Sequence, residues 1–170
     1  MRYHVLATDY DGTLARDERV SLEVIDSLKR LKSSGRKLIL VTGRELEDLQ
    51  RLFPEYNLFD LIVAENGALI YRPSTLEERL LGERPSEAFI QKLKNQGVKP
   101  LSVGRVIIAT WEPYQALVLN AIKETGLEYQ VIFNKGAVMV LPPGINKAAG
   151  LHEALQDLGI SPHNTVAIGD

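Results

Sequence analysis

The chain is 170 residues long, 45 % apolar and 25 % charged, with a formal net charge of −2. Those proportions suit one well-cored domain, or a compact core with a small inserted subdomain, and they exclude a disordered chain. They supply no basic face for nucleic acid, and the absence of cysteine excludes disulfides, thiolate metal sites and cysteine nucleophiles and makes the cytoplasm the natural compartment. The N-terminal run is broken early by Asp9, so it is no signal peptide, and no stretch is long enough to span a membrane.

Tyr3 to Thr8 is rich in strand formers and ends in Asp-Tyr-Asp-Gly, a turn composition. Val20, Val24, Ile25, Leu28 and Leu31 then recur at helical spacing, with Ser21 as N-cap and Gly35 as the stop. Lys37 to Val41 is a continuous apolar run, as expected of a buried parallel strand. A second helix follows, with Leu46, Leu49, Leu52 and Phe53 inward and Pro54 closing it. Asp60 to Ala64 is a third strand, Glu65-Asn66-Gly67 a turn, and Ala68 to Tyr71 its hairpin partner. Strand, helix, strand, helix, strand predicts a doubly wound, Rossmann-like parallel α/β sheet, whose ligands sit at the carboxyl ends of the strands.

From Arg72 to about Pro143 the pattern changes. Proline breaks multiply, helices are predicted near Ser86–Gln96 and Pro113–Thr125, and strands at Arg105–Thr110, Tyr129–Phe133 and Ala137–Leu141, the last two joined as a hairpin around Asn134-Lys135-Gly136. That order predicts a small α+β insert. The α/β pattern resumes with a helix over Asn146–Leu158, whose inward face carries Ala148, Leu151, Ala154, Leu155 and Leu158, and a short strand, Thr165–Ile168, before Gly169-Asp170. The expected organisation is a core of residues 1–71 and 144–170 with a subdomain of 72–143 inserted.

Asp9 and Asp11 lie two residues apart where a strand runs into a glycine turn. Two such carboxylates can converge on one hard cation such as magnesium, or one can attack phosphorus while the other handles protons. A plain surface turn has the same composition. Thr42 and Gly43 end the second strand and open a helix, so a hydroxyl and backbone N–H groups there form either a phosphate site or an ordinary N-cap. Lys147 opens its helix, where a cation opposes the helix dipole; a role in neutralising phosphate gives a reason for that cost. Asp170, at the rim that holds Asp9, is a candidate third metal ligand.

In order, Asp9-Tyr10-Asp11-Gly12-Thr13-Leu14, Thr42 in Val41-Thr42-Gly43-Arg44, Lys147 and Gly169-Asp170 resemble the four motifs of the haloacid dehalogenase-like hydrolases. Glu65-Asn66-Gly67-Ala68 resembles the turn of the Cof-type branch, which carries a type-2 cap between the second and third motifs. The short insert is similar to those of phosphoglycolate and sugar-phosphate phosphatases. The resemblance implies a magnesium-dependent phosphatase acting on a small phosphorylated metabolite through an aspartyl-phosphate, with the insert as a lid that selects the leaving group. It assigns Asp9 as nucleophile, Asp11 as acid and then base, Thr42 and Lys147 to the phosphoryl oxygens, and magnesium to Asp9, the Asp11 carbonyl and Asp170. Phosphomutase activity on the same chemistry is the neighbouring reading, and a phospho-acceptor or regulatory module of a longer protein is a further one. The fourth motif ordinarily runs on to a second acid, so the sequence is expected to be truncated at its C-terminus, with exposed apolar surface and self-association as corollaries.

Gly43, Arg44 and Asn66 are further candidates for the phosphate or substrate rim, with Arg44 divided between orienting substrate and bracing its loop. His4, His152 and His163 lack ligand spacing, and Trp111 divides between a substrate pocket and a packing role.

Overall fold

The computed structural model describes residues 2–169. The chain divides into two compact units, residues 1–81 with 146–170, and residues 82–145. The first holds β1 (Val5–Asp9), α1 (Leu22–Ser33), β2 (Lys37–Val41), α2 (Leu46–Leu52), β3 (Leu61–Ala64), β4 (Leu69–Arg72) and β5 (Glu77–Leu80). The second holds α3 (Glu87–Asn95), β6 (Ser102–Val103), β7 (Ile108–Trp111), α4 (Gln115–Thr125), β8 (Gln130–Asn134) and β9 (Ala137–Leu141). The chain then returns to the first unit as α5 (Lys147–Asp157) and β10 (Thr165–Ile168).

The first unit is a six-stranded sheet in the order β10-β1-β2-β3-β4-β5. The strands β10, β1, β2 and β3 run parallel, while β4 and β5 turn back antiparallel. Both faces are covered, which is why β2 and β3 read as unbroken apolar runs. Leu38 and Leu40 enter one core with Ile25, Leu28, Leu46, Leu49 and Phe53 of the α1–α2 side. Ile39 and Val41 alternate into the opposite core with Ala154 and Leu155 of α5. Slipping β2 by one residue would exchange those two sets, so its register against β1 and β3 is fixed from both faces. The chain moves from β1 through β2 to β3 on one side, and β10 lies on the other side of β1. The reversal of strand order therefore falls between β1 and β10, and Asp9 and Gly169 stand at their carboxyl ends.

The second unit is a four-stranded antiparallel sheet, β6-β7-β9-β8, with α3 and α4 against it. Its core is Phe89, Ile90, Leu93, Val98, Ile108, Val118, Ala121, Val138 and Val140. Ser86 caps α3 by accepting from the Phe89 N–H at 3.2 Å, and Gly126 ends α4 in the left-handed conformation at φ 66°. Residues 72–81, which composition places in the insert, pair instead with the first unit's sheet through β5. A charged strand at a sheet edge, Glu77-Glu78-Arg79-Leu80, carries no apolar alternation to betray it. No helix among the described residues is long and apolar enough to cross a membrane.

Candidate active site

Asp9 is the last residue of β1, and its side chain is 12 % exposed. Lys147, the first residue of α5, donates from Nζ to Asp9 Oδ1 at 2.6 Å. The second carboxylate oxygen of Asp9 makes no hydrogen bond among the described residues. These two side chains line a cleft of about 260 Å³ with Ala7, Thr8, Val41 and Gly169. A Cβ on Gly169 would stand 3.7 Å from the Asp9 Cβ, so the backbone leaving β10 runs beside the carboxylate. Asp170, assigned to the metal in the sequence, lies outside the described residues.

Two glycines set Lys147 at that distance. The turn after β3 holds Glu65 at φ 50° and Asn66 at φ 57°, and Gly67 follows at φ 105°. A Cβ on Gly67 would fall 2.0 Å from the Asn146 carbonyl oxygen. One on Gly150 would fall 2.6 Å from Val63 Cγ1 and 2.7 Å from Gly67 Cα. Backbone therefore meets backbone where α5 begins, closer than any side chain permits. Asn146 caps the helix by accepting from the Ala149 N–H at 2.8 Å, fixing its first turn and the root of Lys147. The sequence marks Gly67 as part of a turn but does not single out Gly150, because a glycine inside a helix signals a close approach without naming its partner.

Thr42 follows β2 and is fully buried. Its N–H donates to Val63 O at 2.8 Å, and its carbonyl accepts from the Asn66 N–H at 3.0 Å. The Arg44 N–H donates to Thr42 Oγ1 at 3.1 Å. The hydroxyl proton has no acceptor among the described residues and stays available to an oxygen ligand. Asn66 is buried, and its side-chain oxygen stands 3.8 Å from where a Cβ on Gly43 would lie. Asn66 and the Glu65 N–H, which donates to Arg44 O at 2.9 Å, thus clamp the loop after β2.

Asp11 faces Arg44. The Arg44 Nε–H lies 2.9 Å from Asp11 Oδ2 and 3.1 Å from Oδ1, and Nη2 reaches Oδ1 at 2.8 Å. The same guanidinium donates to Glu18 Oε1 at 3.0 Å and Asp48 Oδ2 at 2.7 Å. The hydrogen bond to Asp11, working against partial burial, drives the Arg44 pKa still higher, so the group is a permanent cation. Burial pushes the Asp48 carboxyl up, but the bonds from Arg44 and Arg51 outweigh it and hold that carboxyl below its ordinary value. Burial raises the Tyr10 hydroxyl. Sequence reasoning missed Glu18 and Asp48. Asp48, four residues after Arg44 in the first turn of α2, was recoverable from spacing; Glu18, at the tip of an Arg16–Arg19 hairpin, was not.

The donor set suits a hard cation. The Asp11 carbonyl accepts no backbone hydrogen bond among the described residues and Asp9 keeps one free carboxylate oxygen, so two oxygens are uncommitted. No cluster of three acidic or histidine side chains able to hold a metal occurs among the described residues. His4, His152 and His163 are all exposed, and none of them lines the cleft.

The model of the haloacid dehalogenase-like hydrolases matches residues 6–106 and 119–170. A phosphoglycolate phosphatase of Sulfolobus acidocaldarius is 27 % identical over 98 % of this chain and 75 % of its own length. One of Nitrosopumilus maritimus is 28 % identical over 100 % and 77 %. Among solved structures, a haloacid dehalogenase-like hydrolase of Bacteroides thetaiotaomicron superposes with TM-score 0.78 at 18 % identity, covering 99 % of this chain and 82 % of that one. The subclass IIB sugar phosphatase BT4131 gives 0.73 at 20 % identity, covering 98 % and 80 %, and shares the fold. With Asp9 at its strand end, the buried Thr42 and the helix-opening Lys147 all lying within matched segments, the chain belongs to the haloacid dehalogenase-like hydrolase family.

Proposed function

We propose that this phosphatase hydrolyses a small phosphorylated metabolite, of the phosphoglycolate or sugar-phosphate kind, through an aspartyl-phosphate on Asp9. The observation that carries the reading is the Asp9–Lys147 contact at 2.6 Å beside a free carboxylate oxygen, at the point where strand order reverses. The phosphoglycolate phosphatases matched over nearly the whole chain support the substrate class.

In the first step an Asp9 oxygen bonds to phosphorus as the ester oxygen leaves, and Asp11 delivers a proton to that oxygen. In the second, Asp11 takes a proton from water, the water oxygen bonds to phosphorus, and the Asp9–phosphorus bond breaks to release inorganic phosphate. Lys147 and the Thr42 hydroxyl hold the phosphoryl oxygens, with the N–H groups of the Gly43 loop beside them, and Asn66 keeps that loop in place. Magnesium, held by Asp9, the Asp11 carbonyl and Asp170, would supply neutralising charge to the phosphoryl group.

Hydrolysis of p-nitrophenyl phosphate, followed with magnesium and with excess chelator, tests the reading. Turnover is expected only with the cation, and Asp9→Asn is expected to abolish it. Sustained turnover by that variant would remove Asp9 from the nucleophile's role. A substrate panel including phosphoglycolate and sugar phosphates then ranks the leaving groups.

A further inference from the structure

The sequence leaves Arg44 between two roles, and its donors separate them. The Nε–H and one Nη2–H engage Asp11, the other Nη2–H engages Glu18, and one Nη1–H engages Asp48. A guanidinium has five donors in a rigid fork, so a single Nη1–H stays uncommitted among the described residues. Three carboxylates surround this cation, and Asp48 also accepts from Arg51. Four of the five guanidinium donors are taken by carboxylates, so little of the fork is left for a phosphoryl oxygen.

The fork is also braced from below and from the side. The Arg44 guanidinium lies 5.8 Å from the centroid of the buried Tyr10 ring. The Tyr10 hydroxyl donates to Glu18 O at 3.0 Å. Glu18 sits at the tip of a hairpin closed by reciprocal Arg16–Arg19 backbone bonds of 3.0 Å, with Asp17 at φ 47° and Glu18 at φ 64°. The left-handed region is uncommon for residues other than glycine, so this tip is held by its surroundings. Asp11 keeps 44 % of its side chain exposed, leaving an open side for a leaving group.

We propose that Arg44 is a positioning residue: its fork orients the Asp11 carboxylate, and Asp48 and Glu18 hold the fork, so Arg44 serves proton transfer and not phosphate binding. This rests on the reading of Asp11 as the proton-transfer group.

The test compares Arg44→Met, Arg44→Lys, Asp11→Asn and the Arg44→Met/Asp11→Asn double variant in p-nitrophenyl phosphate hydrolysis, with inorganic phosphate as competitive inhibitor. Arg44→Met is expected to lower kcat by about 10- to 100-fold, less than the roughly 100- to 10,000-fold that general acid–base catalysis supplies because Asp11 itself is kept, and to leave the inhibition constant unchanged. Arg44→Lys, which keeps the charge and loses the fork, should restore only part of kcat. In the Asp11→Asn background, Arg44→Met should cost nothing further. Weakened phosphate inhibition with kcat intact would make Arg44 an anion binder and overturn the proposal, as would a full additional loss in the double variant. Should Arg44→Met not fold, Asp48→Asn, which frees one prong, must still lower kcat without touching phosphate inhibition. Asp11→Asn with wild-type kcat would instead overturn the role of Asp11 itself.

Discussion

Lys147 is 40 % exposed and Asp9 12 %, so the carboxylate is the more desolvated partner and depends on its cation. Lys147→Met should therefore lower kcat/KM by about 100- to 1,000-fold, the range seen when one donor aimed at developing charge is removed; steady-state kinetics checks it. Asp48 gives a second prediction, on stability. Its carboxyl lies below the ordinary 3.8 in the folded chain, so its contribution is fully present above that value and is lost as pH falls through the folded pKa. Asp48→Asn should flatten the acid limb of the urea-midpoint profile below about pH 4 and leave its shape at neutral pH unchanged. At this scale the sequence was partly legible. Residue type and position at strand ends and a helix start single out Asp9, Thr42 and Lys147 as candidates, and the structure brings Asp9 and Lys147 into contact. The direction of the Arg44 side chain is not legible in this way, because it is set by Asp11, Asp48 and Glu18 together, and a turn brings Glu18 back from outside the strand-helix pattern.

At the scale of elements, the approach of α5 to the turn after β3 is governed by absent side chains. Gly150→Ala places a methyl 2.6 Å from Val63 Cγ1 and 2.8 Å from Gly67 O, and backbone at that position cannot swing aside as a flexible side-chain end could. The expected cost is about 1–3 kcal/mol, as for overpacked cores, measured by denaturant unfolding. Activity should fall as well, since the shift is delivered to the helix that roots Lys147. The parallel strands were legible as apolar runs because both faces are buried. Three features were not. The edge strand β5 is charged, β6 is two residues long, and the Arg16–Arg19 hairpin turns on Asp17-Glu18 without glycine. Each lies where solvent or a side-chain clamp, and not a buried face, decides the backbone.

Across the whole molecule, each unit owns a core, so each can lose structure on its own terms. Leu93, fully buried among Phe89, Val118 and Val140, belongs to the second. Leu93→Ala should cost about 2–5 kcal/mol, and hydrogen exchange should quicken in α3 and β9 while β1, β2 and β3 keep their protection. Equal loss in both units would mean that they open together. The doubly wound sheet and the inserted α+β unit followed from the order of elements. The division at residues 81 and 82 did not, because a hairpin returning to its own sheet resembles, in composition, the start of an insert.

The Asp9–Lys147 contact joins residues 138 positions apart. A ribosome working at about 5–20 residues per second would deliver the lysine roughly 7–28 s after the aspartate, the 138-residue separation divided by that rate. The second unit is synthesised whole within that interval, and α5 and β10 come after it. The nascent chain thus carries Asp9 through the whole synthesis of the second unit before its Lys147 partner exists. The Asp9–Lys147 pair can form only once the chain has left the second unit and returned to the sheet that β1 began.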